Sequence, residues 1–324
     1  ASWTAGLAAV AEAMVRRGID GQAEFGPYPH TYRVRRALRA RPLVSVIVPF
    51  RDKPQLLETC IGSVLERTGY DQFEILCIDN GSVEPQTAEL LQRLAGADAR
   101  VRVVRHDVPF NYSVINNFGA SQARGDHLLL LNNDTEVIDG QWLEAMLEHS
   151  QRPEVGVVGA RLLYEDDSVQ HAGVIVGLGG VAGHSHLNAA RDAPGYFARQ
   201  HLVQDLSAVT FACAMTRREV FERLGGLNED QLTIAFNDVD YCLRARELGY
   251  RVIYTPYALL YHYESKSRGY EDSPLKQARF GAEIRYMQSR HRAILASGDP
   301  WYNPNFPLDR ESFAVDLRYR DALP

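Results

Sequence analysis

The sequence predicts an α/β protein built on a Rossmann-like, mostly parallel central sheet flanked by helices, with short helical extensions at either end. Three observations carry that prediction. Between positions 44 and 131, apolar runs of strand length alternate with amphipathic stretches of helix length. The run at 44–50 is β-branched, and that at 128–131 is apolar throughout, which suits a strand covered on both faces. The second of them ends abruptly in Asn132-Asn133-Asp134-Thr135-Glu136, and open α/β sheets bind ligands beyond the carboxyl ends of their strands.

Taken in order, residues 1–18 place Leu7, Val10, Ala11, Met14 and Val15 on one helical face, with Gly18 as a stop. A linker rich in Gly, Pro and Tyr follows over 21–42 and carries Arg33, Arg35, Arg36, Arg39 and Arg41, which read as a solvated basic face. Pro49 is expected to end the first strand, since proline cannot donate to a ladder. Asp52 then suits the cap and Pro54 the first turn of a helix whose stripe is Leu57, Cys60, Ile61, Val64 and Leu65. Strands at 73–78 and 101–105 and helices at 85–94 and 114–123 complete a nucleotide-binding half over 43–135. A second half, 136–265, holds a helix at 141–148, a strand at 155–163, helices at 217–224 and 236–248, and a strand at 251–254. Residues 188–205 lack periodicity and read as a mobile loop. Gly177-Leu178-Gly179-Gly180 follows an apolar run, but His184-Ser185-His186 does not open an amphipathic helix, so a dinucleotide site is rejected there. A final helix spans 275–295 within a C-terminal extension, 266–324.

The 324 residues are 45% hydrophobic, ordinary for a globular chain, and a net charge of −6 gives no electrostatic footprint for nucleic acid. Cys60, Cys77, Cys213 and Cys242 show no paired spacing and read as reduced, buried thiols, which implies a cytoplasmic protein. No apolar run has the ~20 residues of a membrane helix, and the first residues lack a signal pattern. The immediate helical start at Ala1 is expected of a piece of a longer polypeptide.

Polar clusters at element ends are the candidate chemistry. Asn132, Asn133 and Asp134 suit either a turn or, through Asp134, a hard cation whose shell phosphate oxygens and water complete. Asp79 suits a turn or a contact to a nucleotide. Asn237-Asp238-Val239-Asp240 opens a helix: Asp240 reads as a helix-terminus acid, Asp238 as either a cap or a general base. His262, after an apolar segment, reads alone as structural before it reads as a ligand.

Together these residues resemble the family-2 glycosyltransferases of GT-A fold. The resemblance runs over 43–265 in six ordered motifs: the strand with its Pro49 exit, Ile78-Asp79-Asn80-Gly81-Ser82, Asn116-Asn117-Phe118-Gly119, Leu131 to Glu136, Gly225-Gly226-Leu227-Asn228-Glu229, and Asn237 to Arg244. It is similar above all to bacterial rhamnosyl- and galactofuranosyltransferases of surface-polysaccharide assembly, and Tyr302-Asn303-Pro304-Asn305 resembles their C-terminal continuation. The resemblance implies Asp238 as catalytic base and a donor-binding set of Pro49, Phe50, Asp52, Asp79, Asn117, Asn132 and Asn133. It implies Mn²⁺ or Mg²⁺ held by Asp134, the last acid of a DxD motif, and by His262. Asn132 departs from the usual first acid of that motif, and Asn237 from a more usual Glu. The implied reaction is single displacement, inverting the anomeric centre, from a nucleotide-diphosphate sugar, rhamnose first, to a glycan or lipid-linked glycan. The implied place is the cytoplasm, at the inner face of the membrane. The alternative is a non-catalytic nucleotide-sugar or glycan-binding domain of a larger synthase. A nucleotidyltransferase is disfavoured, since no Gly-rich, Lys/Arg-bearing loop follows the first strand.

Overall fold

The computed structural model describes residues 2–264 and 273–315. Helix α1 (Ser2–Arg16) leads into strands β1 (Gly21–Phe25) and β2 (Tyr32–Arg36), which form an antiparallel hairpin where the composition predicts a linker. Arg33, Arg35 and Arg36 of the basic run are part of this hairpin, and Arg39 and Arg41 follow it. Arg33 lies over the ring of Tyr257 at 3.8 Å and meets Glu148 at 3.0 Å, so its charge is consumed in docking the hairpin. Burial pushes the Glu148 carboxyl up, and the guanidinium of Arg33 opposes that.

The main domain follows as β3 (Val44–Phe50), α2 (Pro54–Arg67), β4 (Phe73–Asp79), α3 (Pro85–Ala97), β5 (Val101–Arg105), α4 (Tyr112–Gln122), β6 (His127–Leu131) and β7 (Thr135–Val137). Next come α5 (Trp142–Ser150), β8 (Val155–Leu163), β9 (Val169–His171), β10 (Val174–Val176), β11 (Ala182–His184), β12 (Gln204–Leu206), β13 (Cys213–Arg217), α6 (Arg218–Arg223), α7 (Asn237–Glu247) and β14 (Arg251–His262). The C-terminal extension holds α8 (Pro274–Arg290) and α9 (Arg292–Ser297).

The central sheet has the order β12-β14-β8-β13-β6-β3-β4-β5, with β7 on β14 and β9 on β8. Strands β6, β3, β4 and β5 are parallel, as βα units require. Strand β13, which sequence reasoning missed, runs antiparallel between β6 and β8 and joins the two halves into one sheet. Alternation within strands explains the mostly apolar runs. Val44, Val46 and Val48 pack with the α2 and α5 side, while Ile47 packs with the α4 and α7 side. Both faces are therefore core.

Several local expectations need correction. Strand β3 continues through Pro49 to Phe50, because β6 pairs with it only as far as Ile47 and the missing N–H falls beyond that ladder. Asp52 does not cap α2. Its Oδ1 accepts the N–H groups of Val83 and Glu84 at 2.8 and 2.9 Å, at the entrance to α3. Residues 188–205 are not structureless: β12 pairs with β14, and the buried Arg161 reaches Gln200 at 3.1 Å. The strand expected at 251–254 extends to His262 through a bulge at Thr255–Leu259. The single final helix is broken at His291, whose ring turns to Asp240.

Candidate active site

A cleft of about 400 Å³ opens at the carboxyl ends of β3, β4 and β6. Pro49, Phe50, Asn132, Asn133, Asp134, Asp238 and His262 all line it, although the sequence spreads them over more than two hundred positions. A larger cavity of about 710 Å³, under the N-terminal hairpin, contains none of the candidate residues. The smaller cleft is the candidate site because it gathers the acids, amides and imidazole.

Antiparallel pairing of β7 with β14 brings Asp134 to His262. His262 stands opposite Thr135, and the N–H of Tyr263 donates to the Asp134 carbonyl at 2.8 Å. As a result His262 Nε2 lies 3.3 Å from Asp134 Oδ1 and 3.3 Å from the side-chain nitrogen of Asn132. Asp134 is 3% and His262 6% exposed. One neutral imidazole nitrogen cannot both accept from the Asn132 amide and donate to the Asp134 carboxylate. A divalent cation removes the conflict, since Nε2 and Oδ1 can both present lone pairs to it. Among the described residues no set of three acidic, His or Cys side chains forms a metal cage. Two protein donors with phosphate oxygens and water are a usual arrangement for Mg²⁺, so these residues fit the ion.

Asp238 sits in the first turn of α7, which Phe236 enters in the left-handed conformation (φ 60°). Its Oδ1 accepts the N–H of Val239 at 2.8 Å and its Oδ2 that of Phe211 at 3.2 Å. One residue on, the carbonyl of Ala212 accepts the N–H of Asn132 at 2.9 Å. The segment entering β13 thus fixes both the acid at the α7 start and the polar turn after β6. Asp240 is different. It is 0% exposed, and its carboxylate accepts from Arg244 at 2.7 Å and from His291 at 2.9 Å. Burial alone would raise its pKa, but the His291 hydrogen bond and the Arg244 charge outweigh it, so the group lies below the usual carboxylate range. Asp240 is thus the helix-terminus acid expected in the first turn of α7, and it also bonds across to His291 at the end of α8.

Three expected donor residues do not line the cleft. Asp79 is buried at the end of β4, where Oδ1 accepts the N–H of Ser82 at 2.8 Å and Oδ2 meets Arg105 at 3.2 Å; its neighbour Asn80 faces the cleft. Asp52 holds the 83–84 backbone, as above. Asn117 clamps another motif: its Oδ1 accepts from the N–H of Leu227 at 2.8 Å, and its Nδ2 donates to the Leu227 carbonyl at 2.9 Å and to Glu229 at 2.7 Å. Gly226 (φ 73°) is required there, because a Cβ would stand 2.5 Å from Asn117 Oδ1. Sequence reasoning missed Arg51, Tyr112, Gln170, His184 and Glu264, which also line the cleft. His184, just past the glycine-rich run, was the one with a signal.

The glycosyl transferase family 2 model matches residues 45–225, over half of the chain and the segment that carries Asp134. The chain belongs to that family. An uncharacterized protein, y4gI of Sinorhizobium fredii, is 48% identical over 96% of this chain. The O-antigen biosynthesis protein RfbC of Myxococcus xanthus is 41% identical over 98% of it. The chain spans 34% and 25% of the lengths of these two relatives. Among solved structures, a mannosyltransferase of Pyrobaculum calidifontis, in complex with GDP-Man and Mn²⁺, superposes with a TM-score of 0.55 at 18% identity. The match covers 88% of this chain and 75% of that one. The fold of this family-2 chain is accordingly GT-A.

Proposed function

We propose that this chain is an inverting, divalent-metal-dependent glycosyltransferase that moves a sugar from a nucleotide-diphosphate donor to a hydroxyl of a bacterial surface glycan or its lipid-linked precursor. The observation that carries the reading is the convergence of Asp238 with the Asp134–His262 pair on one cleft, through a shared backbone segment. Asp238 takes the proton of the acceptor hydroxyl as that oxygen bonds to the anomeric carbon. The bond from that carbon to the diphosphate breaks on the opposite side, the oxygen keeping the electron pair, so the configuration inverts. Asp134 and His262 would hold Mn²⁺ or Mg²⁺, which when bound would supply positive charge for the diphosphate. Asn132 and Asn133 offer amide groups to the donor, and Pro49, Phe50 and Asn80 form the wall for its base and ribose. No leaving-group acid is needed, unlike the two carboxylates of glycoside hydrolysis.

The name of the Myxococcus relative supports surface-glycan assembly, and its greater length supports further domains as partners. Rhamnose is the sugar that the resemblance puts first. No helix among the described residues is long and apolar enough to cross a membrane. The proposed place of work is the cytoplasm, at the inner membrane face. The test is release of nucleoside diphosphate from a panel of nucleotide sugars with Mn²⁺ present. Turnover by the wild type and its loss in Asp238→Asn support the enzyme, whereas binding without turnover favours a non-catalytic nucleotide-sugar-binding domain.

A further inference from the structure

The proposed chemistry leaves unused the histidine that follows the glycine-rich run. Strand β9 ends at His171 and β11 at His184, and their Nδ1 atoms lie 2.8 Å apart with the rings nearly perpendicular, at 88°. His171 is fully buried, and its Nε2 accepts the backbone N–H of Thr210 at 3.4 Å. A backbone N–H only donates, so His171 Nε2 carries the lone pair and the proton of the neutral ring is on Nδ1. Only one proton fits between the two Nδ1 atoms. His171 therefore donates, His184 Nδ1 accepts, and the remaining proton of His184 is placed on Nε2. Burial pushes both imidazoles below their usual value, which keeps the pair neutral; Asp238 and Glu264 are the carboxylates that oppose this at His184.

His184 lines the cleft beside Asp238, Gln170, Thr210 and Glu264. Thr210 fixes the imidazole pair, and the next residue, Phe211, fixes Asp238. One short segment thus sets both the proton-accepting carboxylate and a neutral N–H donor whose direction is determined by its partners. We propose that His184 is a specificity-determining residue whose Nε2–H donates to a hydroxyl oxygen of the acceptor saccharide, close to the hydroxyl that Asp238 deprotonates, with His171 as the positioning residue that sets its tautomer. The proposal rests on the glycosyl-transfer reading. A donor that cannot turn into an acceptor selects a sugar oxygen at that point and disfavours an acceptor lacking it, because the half-buried Nε2–H would then lose its partner.

Two measurements on the full chain test this. With ¹⁵N-labelled histidine, long-range proton–nitrogen correlation reads each tautomer directly, and His171→Asn and His184→Gln assign the signals. His184 is expected as the Nε2–H form and His171 as the Nδ1–H form; His184 as the Nδ1–H form, or as imidazolium at neutral pH, overturns the proposal. The second measurement uses the nucleotide sugar that the wild type hydrolyses, with the methyl glycosides of rhamnose, galactose and mannose as acceptors. His184→Ala should raise the acceptor KM ~3–10-fold, a larger change than it makes in hydrolysis by water or in the donor KM. His184→Gln, whose amide N–H stands near the place of Nε2–H, should recover most of the loss. Equal losses in hydrolysis and transfer, a defect in the donor KM instead, or no recovery with Gln overturns the proposal. If the wild type turns over no nucleotide sugar, the transferase reading falls, and the acceptor role with it, while the tautomers still decide whether the imidazole pair is as described.

Discussion

Asp238 and Asp240 are two positions apart on one helix, yet replacing each with Asn should damage different properties. Asp240 is 0% exposed and bonded to both Arg244 and His291, so Asp240→Asn leaves a mostly covered guanidinium, its side chain 18% exposed, without its counter-charge. Breaking such a pair from one side costs ~3–5 kcal/mol. For 324 residues the unfolding entropy is about 0.7 kcal/mol/K, so the melting temperature should fall by ~4–7 °C. Asp238 is partly exposed in the cleft, and Asn can still accept one of its two backbone N–H bonds, so that variant should melt within ~2 °C of the wild type. Its transfer rate should drop ~10²–10⁴-fold, since the amide cannot take the acceptor proton. Calorimetry and nucleoside diphosphate release read the two effects separately. Acid adds a check of sign. The folded carboxyl of Asp240 lies below its unfolded value, so its contribution to stability is present above the ordinary carboxylate pKa and is lost as pH falls through the folded value. Asp240→Asn should flatten that acid-side loss. The reasoning is refuted if Asp240→Asn melts normally but is inactive, or if Asp238→Asn transfers at near the wild-type rate.

The remaining expectations concern metal, the motif clamp and the base pocket. Asp134→Ala and His262→Ala should each raise the Mn²⁺ concentration needed for half-maximal activity by ~10-fold or more; full activity of chelator-treated protein without added divalent ion would remove both from that role. Asn117→Ala should lower stability by ~1–3 kcal/mol through the lost clamp on Leu227 and Glu229, with nucleotide diphosphate affinity unchanged by titration calorimetry. The opposite pattern, weak binding with normal melting, would make Asn117 a donor contact. Asp79→Ala should weaken nucleotide diphosphate binding by loosening the turn that presents Asn80, and unchanged affinity would dismiss that link.

Strands buried on both faces were legible because burial leaves a run that is mostly apolar, as at Val44–Phe50, Phe73–Asp79 and Val155–Leu163. Strand β13 was not, because Thr216 and Arg217 look like surface residues. The Arg217 guanidinium instead spends its donors on the carbonyls of Ser150, Arg152, Pro153 and Val155. Strand β7 has three residues, too few for a period, yet it carries Asp134 to His262. Of the site, Asp134, Asp238 and His262 were legible as polar residues at element ends and do share one cleft. Asn117 shows where motif reading stops, since a motif does not say whether its side chain meets a ligand or another motif. Asp240 shows the same limit for helix-start acids, because its partner His291 lies 51 positions away.

The most direct test of the transferase account is metal-dependent turnover of nucleotide sugars by wild type and Asp238→Asn side by side. Each sugar of a panel is incubated with Mn²⁺ or with chelator, and released nucleoside diphosphate is measured without any acceptor but water. The account predicts slow release from at least one nucleotide sugar by the wild type, its loss with chelator, and its loss in Asp238→Asn despite normal melting and donor binding. Donor binding with no release by the wild type under any metal condition, or release by Asp238→Asn at the wild-type rate, would contradict it.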